Sequence, residues 1–217
     1  MFVKLWMHSG VITVLPDQTL AEADDLMTSN RIRRLPVVDQ EMKILGIITR
    51  EDVKNGLPSI VDVTLDETTR ALARQAKIES FMTKTVIKAT PADTLEKVAM
   101  TMQKHKIGGI PVVEEDRLIG IITESDIFKA FAEILGGNEN STRIELIADQ
   151  GKDTFYSIID ICKTHDIEIE NIALCNNYST QSRAIILRIT GQNIEPLVDA
   201  LWKTGCKINS VISGTPR

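Results

Sequence analysis

The segment Gly-Ile-Ile-Thr-Arg-Glu-Asp at residues 46–52 recurs as Gly-Ile-Ile-Thr-Glu-Ser-Asp at residues 120–126. In both segments an apolar run ends at a threonine that stands three residues before an aspartate. This pattern predicts a strand that passes directly into a helix. Two such junctions in one chain indicate an internal repeat, which decides the fold if it extends further.

The similarity extends through most of residues 1–133. With an offset of 75 residues, which falls to 74 after one deleted position, 16 positions are identical in the two copies. In copy one these positions are Met7, Val11, Ile12, Pro16, Thr19, Leu20, Met27, Ile32, Pro36, Val37, Val38, Gly46, Ile47, Ile48, Thr49 and Asp52. Chance does not produce such a match, so the two halves are copies of one structural unit.

Each copy predicts the order strand, helix, strand, strand, helix. The first helix begins at Thr19 or Thr94, and the second begins at Thr49 or Thr123. The predicted strands are 11–14, 35–38 and 44–48 in copy one, and 86–89, 110–113 and 118–122 in copy two. Between the copies, residues 68–81 are patterned as a helix. So small a unit cannot close a core alone, and we expect the two copies to pack face to face.

The last third of the chain predicts a separate domain. Residues 136–141 are rich in turn formers, which is typical of a linker. The pattern after the linker predicts strands at 143–148, 167–175, 183–190 and 207–212, with helices at 155–164 and 194–204. This βαββαβ order is ferredoxin-like. The fold class is therefore α/β (α+β). The chain divides into repeat 1 (1–56), an inter-repeat segment (57–76), repeat 2 (77–135), a linker (136–141) and the last domain (142–217).

The two junctions, each downstream of a Pro-Val-Val strand, resemble the CBS repeat, a family whose βαββα units occur in pairs. The resemblance covers residues 1–133. It implies a module that binds AMP, ADP, ATP, S-adenosylmethionine or a related adenosyl ligand, usually as a disc-like homodimer. The long segment between the copies resembles the AcuB type of acetoin-utilization protein, and the last third resembles an ACT domain.

The chemistry of an adenosyl ligand fits the two junctions. One carboxylate can accept both hydroxyl hydrogens of a ribose, and the free N–H groups at a helix start attract phosphate. By resemblance, the threonine and aspartate hold phosphate and ribose, and the first strand and the residue before the proline hold adenine. The candidate residues are Thr13, Val14, Arg33, Arg34, Leu35, Thr49 and Asp52 in repeat 1, and Lys88, Ala89, Gly109, Ile110, Thr123, Ser125 and Asp126 in repeat 2.

Each candidate group also has a structural interpretation that needs no ligand. Threonine followed by aspartate at this spacing is an ordinary helix capping box. The apolar candidates fit core packing, and Arg31, Arg33 and Arg34 fit a solvated basic edge. Copy two has Gly108 and Gly109 where copy one has two arginines. The two clefts should therefore differ, and the sequence leaves open which of them binds phosphate.

An ACT domain often binds an amino acid at the turn after its first strand. The corresponding candidates are Asp149, Gly151 and Asp153. The family tends to have glycine at the position of Asp153 and asparagine at that of Glu168. An extra carboxylate would repel a ligand carboxylate, so dimerisation or docking of an unidentified protein partner is the alternative role.

Composition excludes several function classes. The formal net charge of −5 gives no general attraction to nucleic acid or to an anionic membrane. Three dispersed cysteines without a secretory leader predict reduced thiols, no metal site and a cytoplasmic protein. His8, His105 and His165 are scattered, and no nucleophile or phosphate-loop motif is present, so we expect no catalytic residues and no catalytic cofactor. The prediction is a non-enzymatic sensor whose regulatory ligand is an adenine nucleotide or S-adenosylmethionine; the alternative is a ligand-free dimerisation adaptor.

Overall fold

The structure is a computed structural model that describes residues 1–57, 66–136, 141–149, 154–176, 182–191 and 194–213. The chain divides into two compact units, Met1–Phe128 and Lys129–Arg217. Each unit is built around apolar residues at the periodicities that the sequence shows. No helix within the described ranges is long and apolar enough to cross a membrane.

The first unit contains the two repeats. Repeat 1 forms α1 (Leu20–Ser29), β1 (Arg34–Val38), β2 (Ile44–Thr49) and α2 (Arg50–Gly56), and α3 (Glu67–Arg74) follows. Repeat 2 forms α4 (Leu95–His105), β3 (Gly109–Glu114), β4 (Arg117–Thr123) and α5 (Glu124–Ile134), which runs on into the second unit. Each repeat begins with a 3₁₀ turn, Val3–Leu5 or Ile78–Ser80. In both repeats the two strands are antiparallel, with one register shift inside the Val-Val pair.

The predicted first strands, 11–14 and 86–89, are wrong as strands. Only Val14 and Ala89 pair with a strand, each through a single parallel bridge, to Val37 and Val112. The Val14 amide donates to the Pro36 carbonyl, and the Val38 amide donates to the Val14 carbonyl. A few residues earlier the chain pairs with the other repeat, so this segment crosses between two sheets instead of running along one.

The helix predicted over 68–81 is also too long, because α3 ends at Arg74. The backbone that follows is bonded to repeat 1. The Ala76 carbonyl accepts from the Leu20 amide, and the Ile78 amide donates to the Gln18 carbonyl. These bonds cannot coexist with continued helical bonding, so the segment turns and starts again as the 3₁₀ turn of repeat 2.

The two repeats are joined by reciprocal backbone pairing. His8 exchanges two hydrogen bonds of 2.9 Å with Ile121 in β4. Thr83, at the equivalent place in repeat 2, exchanges bonds of 2.9 and 3.0 Å with Ile47 in β2. The start of each repeat thus binds the second strand of the other. The apolar residues follow the same exchange, since Ile78 is fully buried in the core formed by Leu20, Leu35 and other residues of repeat 1.

The glycine of each repeated Gly-Ile-Ile-Thr segment lies at this crossing. A Cβ atom on Gly120 would lie 2.8 Å from Met7 Sδ and 3.0 Å from the His8 carbonyl oxygen. A Cβ atom on Gly46 would lie 2.5 Å from Met82 Sδ and 3.2 Å from the Thr83 carbonyl oxygen. Glycine suits both positions because a methionine side chain and a backbone carbonyl of the other repeat pass close to it, and a side chain would force them to shift.

The second unit has the predicted βαββαβ order. Its elements are β5 (Thr142–Asp149), α6 (Thr154–Thr164), β6 (Glu168–Cys175), β7 (Ser182–Thr190), α7 (Glu195–Lys203) and β8 (Lys207–Ser213). The strands form an antiparallel sheet in the order β6-β7-β5-β8. Ile144, Leu146, Ile185 and Leu187 pack with Ile158, Leu197 and Leu201 from the helices to form its core.

We expect Gly120→Val to lower the free energy of unfolding of the first unit by about 1–3 kcal/mol, because the new side chain must displace a backbone segment. Urea denaturation followed by circular dichroism measures this change. Gly10→Ala is the matched control, since a Cβ atom there meets nothing within 4 Å. A Gly120→Val protein as stable as the control would contradict the close approach of the two repeats.

Candidate functional site

The two strand-to-helix junctions are capped as the sequence predicts. The Thr49 amide and hydroxyl donate to Asp52 Oδ2 at 2.8 and 2.6 Å, and the Asp52 amide donates back to Thr49 Oγ1 at 3.3 Å. In repeat 2 the Thr123 amide and hydroxyl donate to Asp126 Oδ2 at 2.8 and 2.7 Å. Capping therefore engages one oxygen of each aspartate and leaves Oδ1 for another partner.

The second oxygen distinguishes the two aspartates. Asp126 Oδ1 lies 2.9 Å from His8 Nε2, so the repeat 2 carboxylate contacts a side chain that repeat 1 supplies. The Asp126 side chain is only 9% exposed, whereas that of His8 is 70% exposed. Thr83 stands at the place of His8 beside repeat 1, and the described residues show no ion pair at Asp52. The pseudo-symmetry of the repeats is broken at this point.

A cavity of about 540 Å³ opens at the start of α5. Asp126 is not among its lining residues, and it meets the cavity through His8, which lines it and contacts Asp126 Oδ1. The cavity walls come from both repeats, because the His8 segment of repeat 1 is paired with β4 of repeat 2. The lining residues are His8, Gly10, Val11, Ile12, Arg31, Ile32, Arg33, Arg34, Gly108, Ile121, Thr123, Glu124 and Ser125. The size lies within the usual range for small-molecule sites, roughly 300–1,000 Å³.

The cavity regroups the predicted site residues. It brings together Arg33 and Arg34 of repeat 1 with Thr123 and Ser125 of repeat 2. The arginines of repeat 1 thus line a cavity with the helix start of repeat 2, an arrangement that the sequence left open. The physical reason is the exchange of N-terminal segments, which sets repeat 1 residues against the helix start of repeat 2.

Several apolar candidates lie in the hydrophobic cores and not in the cavity walls. Val14, Leu35, Ala89 and Ile110 are each 3% exposed or less. Val11 and Ile12, just before the candidates Thr13 and Val14, supply apolar cavity wall in their place. For these candidates the structure supports the core-packing alternative.

The remaining candidates lie apart from this cavity. Lys88 Nζ is held 3.2 Å from Asp116 Oδ1. Thr49 and Asp52 form the helix start of repeat 1, which faces the segment of Thr83. Gly151 and Asp153 of the amino-acid site expected in the second unit lie outside the described residues. Asp149 ends β5, where it pairs with Ser182.

Arg34 occupies the space that Gly108 and Gly109 leave open. A Cβ atom on Gly108 would lie 2.8 Å from Arg34 Nη2, and one on Gly109 would overlap Arg34 Nη1. Nη1 is buried without a hydrogen-bond partner. Burial lowers the pKa of the Arg34 guanidinium, and the nearby Glu124 carboxylate opposes this effect. The guanidinium stays charged and has a donor left to satisfy.

The cavity has an excess of positive charge. Arg31, Arg33 and Arg34 line it, and Glu124 is the one carboxylate among its lining residues. Guanidinium groups bind phosphate oxygens with two parallel hydrogen bonds, and the Ser125 hydroxyl and the start of α5 add further donors. The part of the chain that the structure describes has no cluster of three or more His, Cys, Asp or Glu side chains suited to a metal ion.

Sequence reasoning missed His8, Gly10, Ile32 and Glu124 as site residues. The sequence does contain a signal for His8. The repeat alignment places His8 on Thr83, and a difference between the copies next to matched residues indicates that the two sites have diverged. Glu124 directly follows the candidate Thr123 in the sequence, whereas no signal in the sequence shows that Gly10 and Ile32 of repeat 1 line a cavity with Thr123.

The CBS domain family matches residues 3–59 and 78–133. An uncharacterised protein of Methanocaldococcus jannaschii is 38% identical over 180 residues, which are 76% of this chain. The chain spans 60% of the length of that relative and between 21% and 24% of the length of several enzymes that contain a matching region.

Two solved structures are similar to the first unit. A Vibrio cholerae protein assigned to acetoin utilization (AcuB) is 33% identical, with a TM-score of 0.53 over 62% of this chain and 93% of that one. The CBS domain pair of protein MJ0100, in complex with 5′-methylthioadenosine and S-adenosylmethionine, is 32% identical, with a TM-score of 0.51 over 61% and 97% of the two chains.

We expect Arg34→Met to raise the free energy of unfolding by about 1 kcal/mol, because it removes a buried donor that lacks a partner and keeps the packing of the stem. Urea denaturation measures the change. The exposed Arg33, substituted as Arg33→Met, is the control and should leave stability unchanged. A loss of stability in Arg34→Met would mean that its attraction to Glu124 outweighs the cost of burial.

Proposed function

Because the chain belongs to the CBS-domain family, we propose that it is a non-enzymatic regulatory protein that binds an adenosyl ligand in the cavity shared by its two repeats. One observation carries the proposal: the cavity joins the capped start of α5 to three arginines of the other repeat, and its lining residue His8 contacts the Asp126 carboxylate. A ribose, a phosphate group and an apolar ring each find a matching wall there.

We assign the parts of the ligand to this cavity as follows. Asp126 accepts from the ribose hydroxyls through Oδ1, while Oδ2 continues to cap the helix. The start of α5, with Ser125, and the arginines hold phosphate. Val11, Ile12 and Ile32 form the apolar wall for adenine. We propose the cleft around Thr49 and Asp52 as the weaker site, because Arg31, Arg33 and Arg34 line the other cavity.

The charge of the cavity favours a phosphate-bearing ligand. S-adenosylmethionine carries a sulfonium cation, which the three arginines would repel, although the MJ0100 pair was solved with that compound. AMP, ADP and ATP place negative charge where the arginines lie. We therefore propose an adenine nucleotide as the regulatory ligand of this chain, with affinity increasing from AMP to ADP and ATP.

Occupancy of the cavity has to change an equilibrium between two arrangements if the protein is a sensor. Because the cavity walls come from both repeats, a bound nucleotide links the repeats and favours the arrangement in which they fit it. We propose that the second unit, an ACT-like domain by its strand order, carries the response to a protein partner. An acetoin-related role and a cytoplasmic location are part of the same proposal.

The chain also has a surface suited to a second copy. Equivalent faces of α1 and α4 form shallow grooves of opposite charge: Glu22 and Asp25 line the groove on α1, whereas Lys97 and Lys104 line the groove on α4. In a head-to-tail homodimer with a twofold axis, the acidic groove of each copy would lie against the basic groove of the other copy, so the contact would form twice. We propose this arrangement for the dimer.

For ligand binding, isothermal titration calorimetry with AMP, ADP, ATP and S-adenosylmethionine is the test. We expect the nucleotides to bind more tightly than S-adenosylmethionine. Asp126→Asn should weaken nucleotide binding about 10- to 100-fold, as expected for loss of charge-assisted hydrogen bonds. Asp52→Asn is the matched control and should bind as the unmodified chain does. If no adenosyl compound binds the unmodified chain, the ligand-free adaptor becomes the better description.

For the dimer, light scattering after size-exclusion chromatography is the test. Lys104→Glu and Asp25→Lys should each shift the chain towards monomer, because each creates a repulsive pair in the head-to-tail contact. The double variant should regain the dimer, since it reverses both charges. A dimer that neither single variant weakens would rule out these grooves as the interface.

A further inference from the structure

We propose that His8 competes with the ligand for Asp126 and thereby sets the affinity of the cavity and its dependence on pH. The inference rests on the proposed function, because the competition is with the ribose of an adenosyl ligand. Its basis is the 2.9 Å contact between His8 Nε2 and Asp126 Oδ1.

The contact closes the carboxylate to any further strong partner. Asp126 Oδ2 already accepts from the Thr123 amide and hydroxyl. Oδ1 contacts His8, and because the Asp126 side chain is only 9% exposed, the imidazole covers the open approach to that oxygen. A ribose therefore has to displace the imidazole before it can use Oδ1, and breaking that hydrogen bond subtracts from the affinity of the ligand.

His8 is built to move aside without disturbing the fold. Its backbone is fixed by the two hydrogen bonds to Ile121, whereas its side chain is 70% exposed. The imidazole can rotate towards solvent while the repeats stay paired. In repeat 1 the equivalent contact cannot form, because Thr83 has a short neutral side chain. The competition is thus a property of the Asp126 cleft.

Protonation of the His8 imidazole strengthens its contact with Asp126. The charged groups that face His8 are Asp126 and Glu124, from the start of α5, and Arg31, Arg33 and Arg34, from the loop before β1 and its first residue. The arginines oppose an imidazolium, but the shortest contact is to a carboxylate. An imidazolium–carboxylate pair is stronger than a neutral hydrogen bond, so ligand affinity falls when the ring gains a proton.

Calorimetric titration with ADP at pH 5.5, 6.5 and 7.5 tests the inference. We compare the unmodified chain with His8→Thr, which copies the residue of the other repeat. His8→Thr should bind ADP about 2- to 10-fold more tightly at pH 7.5, as expected for one lost hydrogen bond. The dissociation constant of the unmodified chain divided by that of His8→Thr should be larger at pH 5.5 than at pH 7.5. This ratio cancels the protonation of the nucleotide itself, and His105→Gln, at a histidine that does not line the cavity, is the control.

A second measurement does not depend on the ligand. In the ligand-free protein, the ring ¹⁵N shifts of His8 should report a hydrogen-bonded Nε2–H, and Asp126→Asn should change them. If they do not change, or if His8→Thr binds ADP no more tightly than the unmodified chain, the inference is overturned. If the shifts change but neither protein binds any nucleotide, the contact exists and it is the proposed function that fails, taking the competition with it.

Discussion

The pairing of each repeat's first residues with the second strand of the other repeat is the constraint on which the first unit depends. Two pairs of hydrogen bonds, His8 with Ile121 and Thr83 with Ile47, bring the halves together. They bring a backbone carbonyl of the other repeat close to Gly46 and Gly120, and Ile78 of repeat 2 is buried in the core of repeat 1. The core of repeat 1 is therefore incomplete without repeat 2.

The same pairing explains what could be predicted from the sequence and what could not. Helices, hairpins and capping boxes depend on neighbouring residues, so the pattern around Thr49 and Thr123 was enough to place them. The meeting of Arg34 with Gly109 depends on how one copy crosses the other. An alignment of the repeats shows which positions correspond, but not which positions touch. Arg33, Arg34, Thr123 and Ser125 could be chosen from the sequence, but that they line one cavity could not.

The differences between the repeats are coupled across the interface. Repeat 1 has arginines where repeat 2 has Gly108 and Gly109, and the Arg34 guanidinium lies against those glycines. A side chain on Gly109 would exclude Arg34. The glycines thus let one cavity gather the positive charge, while the opposite cleft loses it. Two clefts that begin as equivalents of one repeat become one charged site and one weaker site.

The helix cap and the proposed ligand site use different oxygens of one carboxylate. Oδ2 of Asp126 closes the start of α5, which orients the side chain and keeps the free N–H groups of the helix turned towards the cavity. Oδ1 is left to exchange partners. Capping is therefore no argument against a binding role. The cap holds the buried carboxylate in position, and the exposed imidazole of His8 contacts its second oxygen.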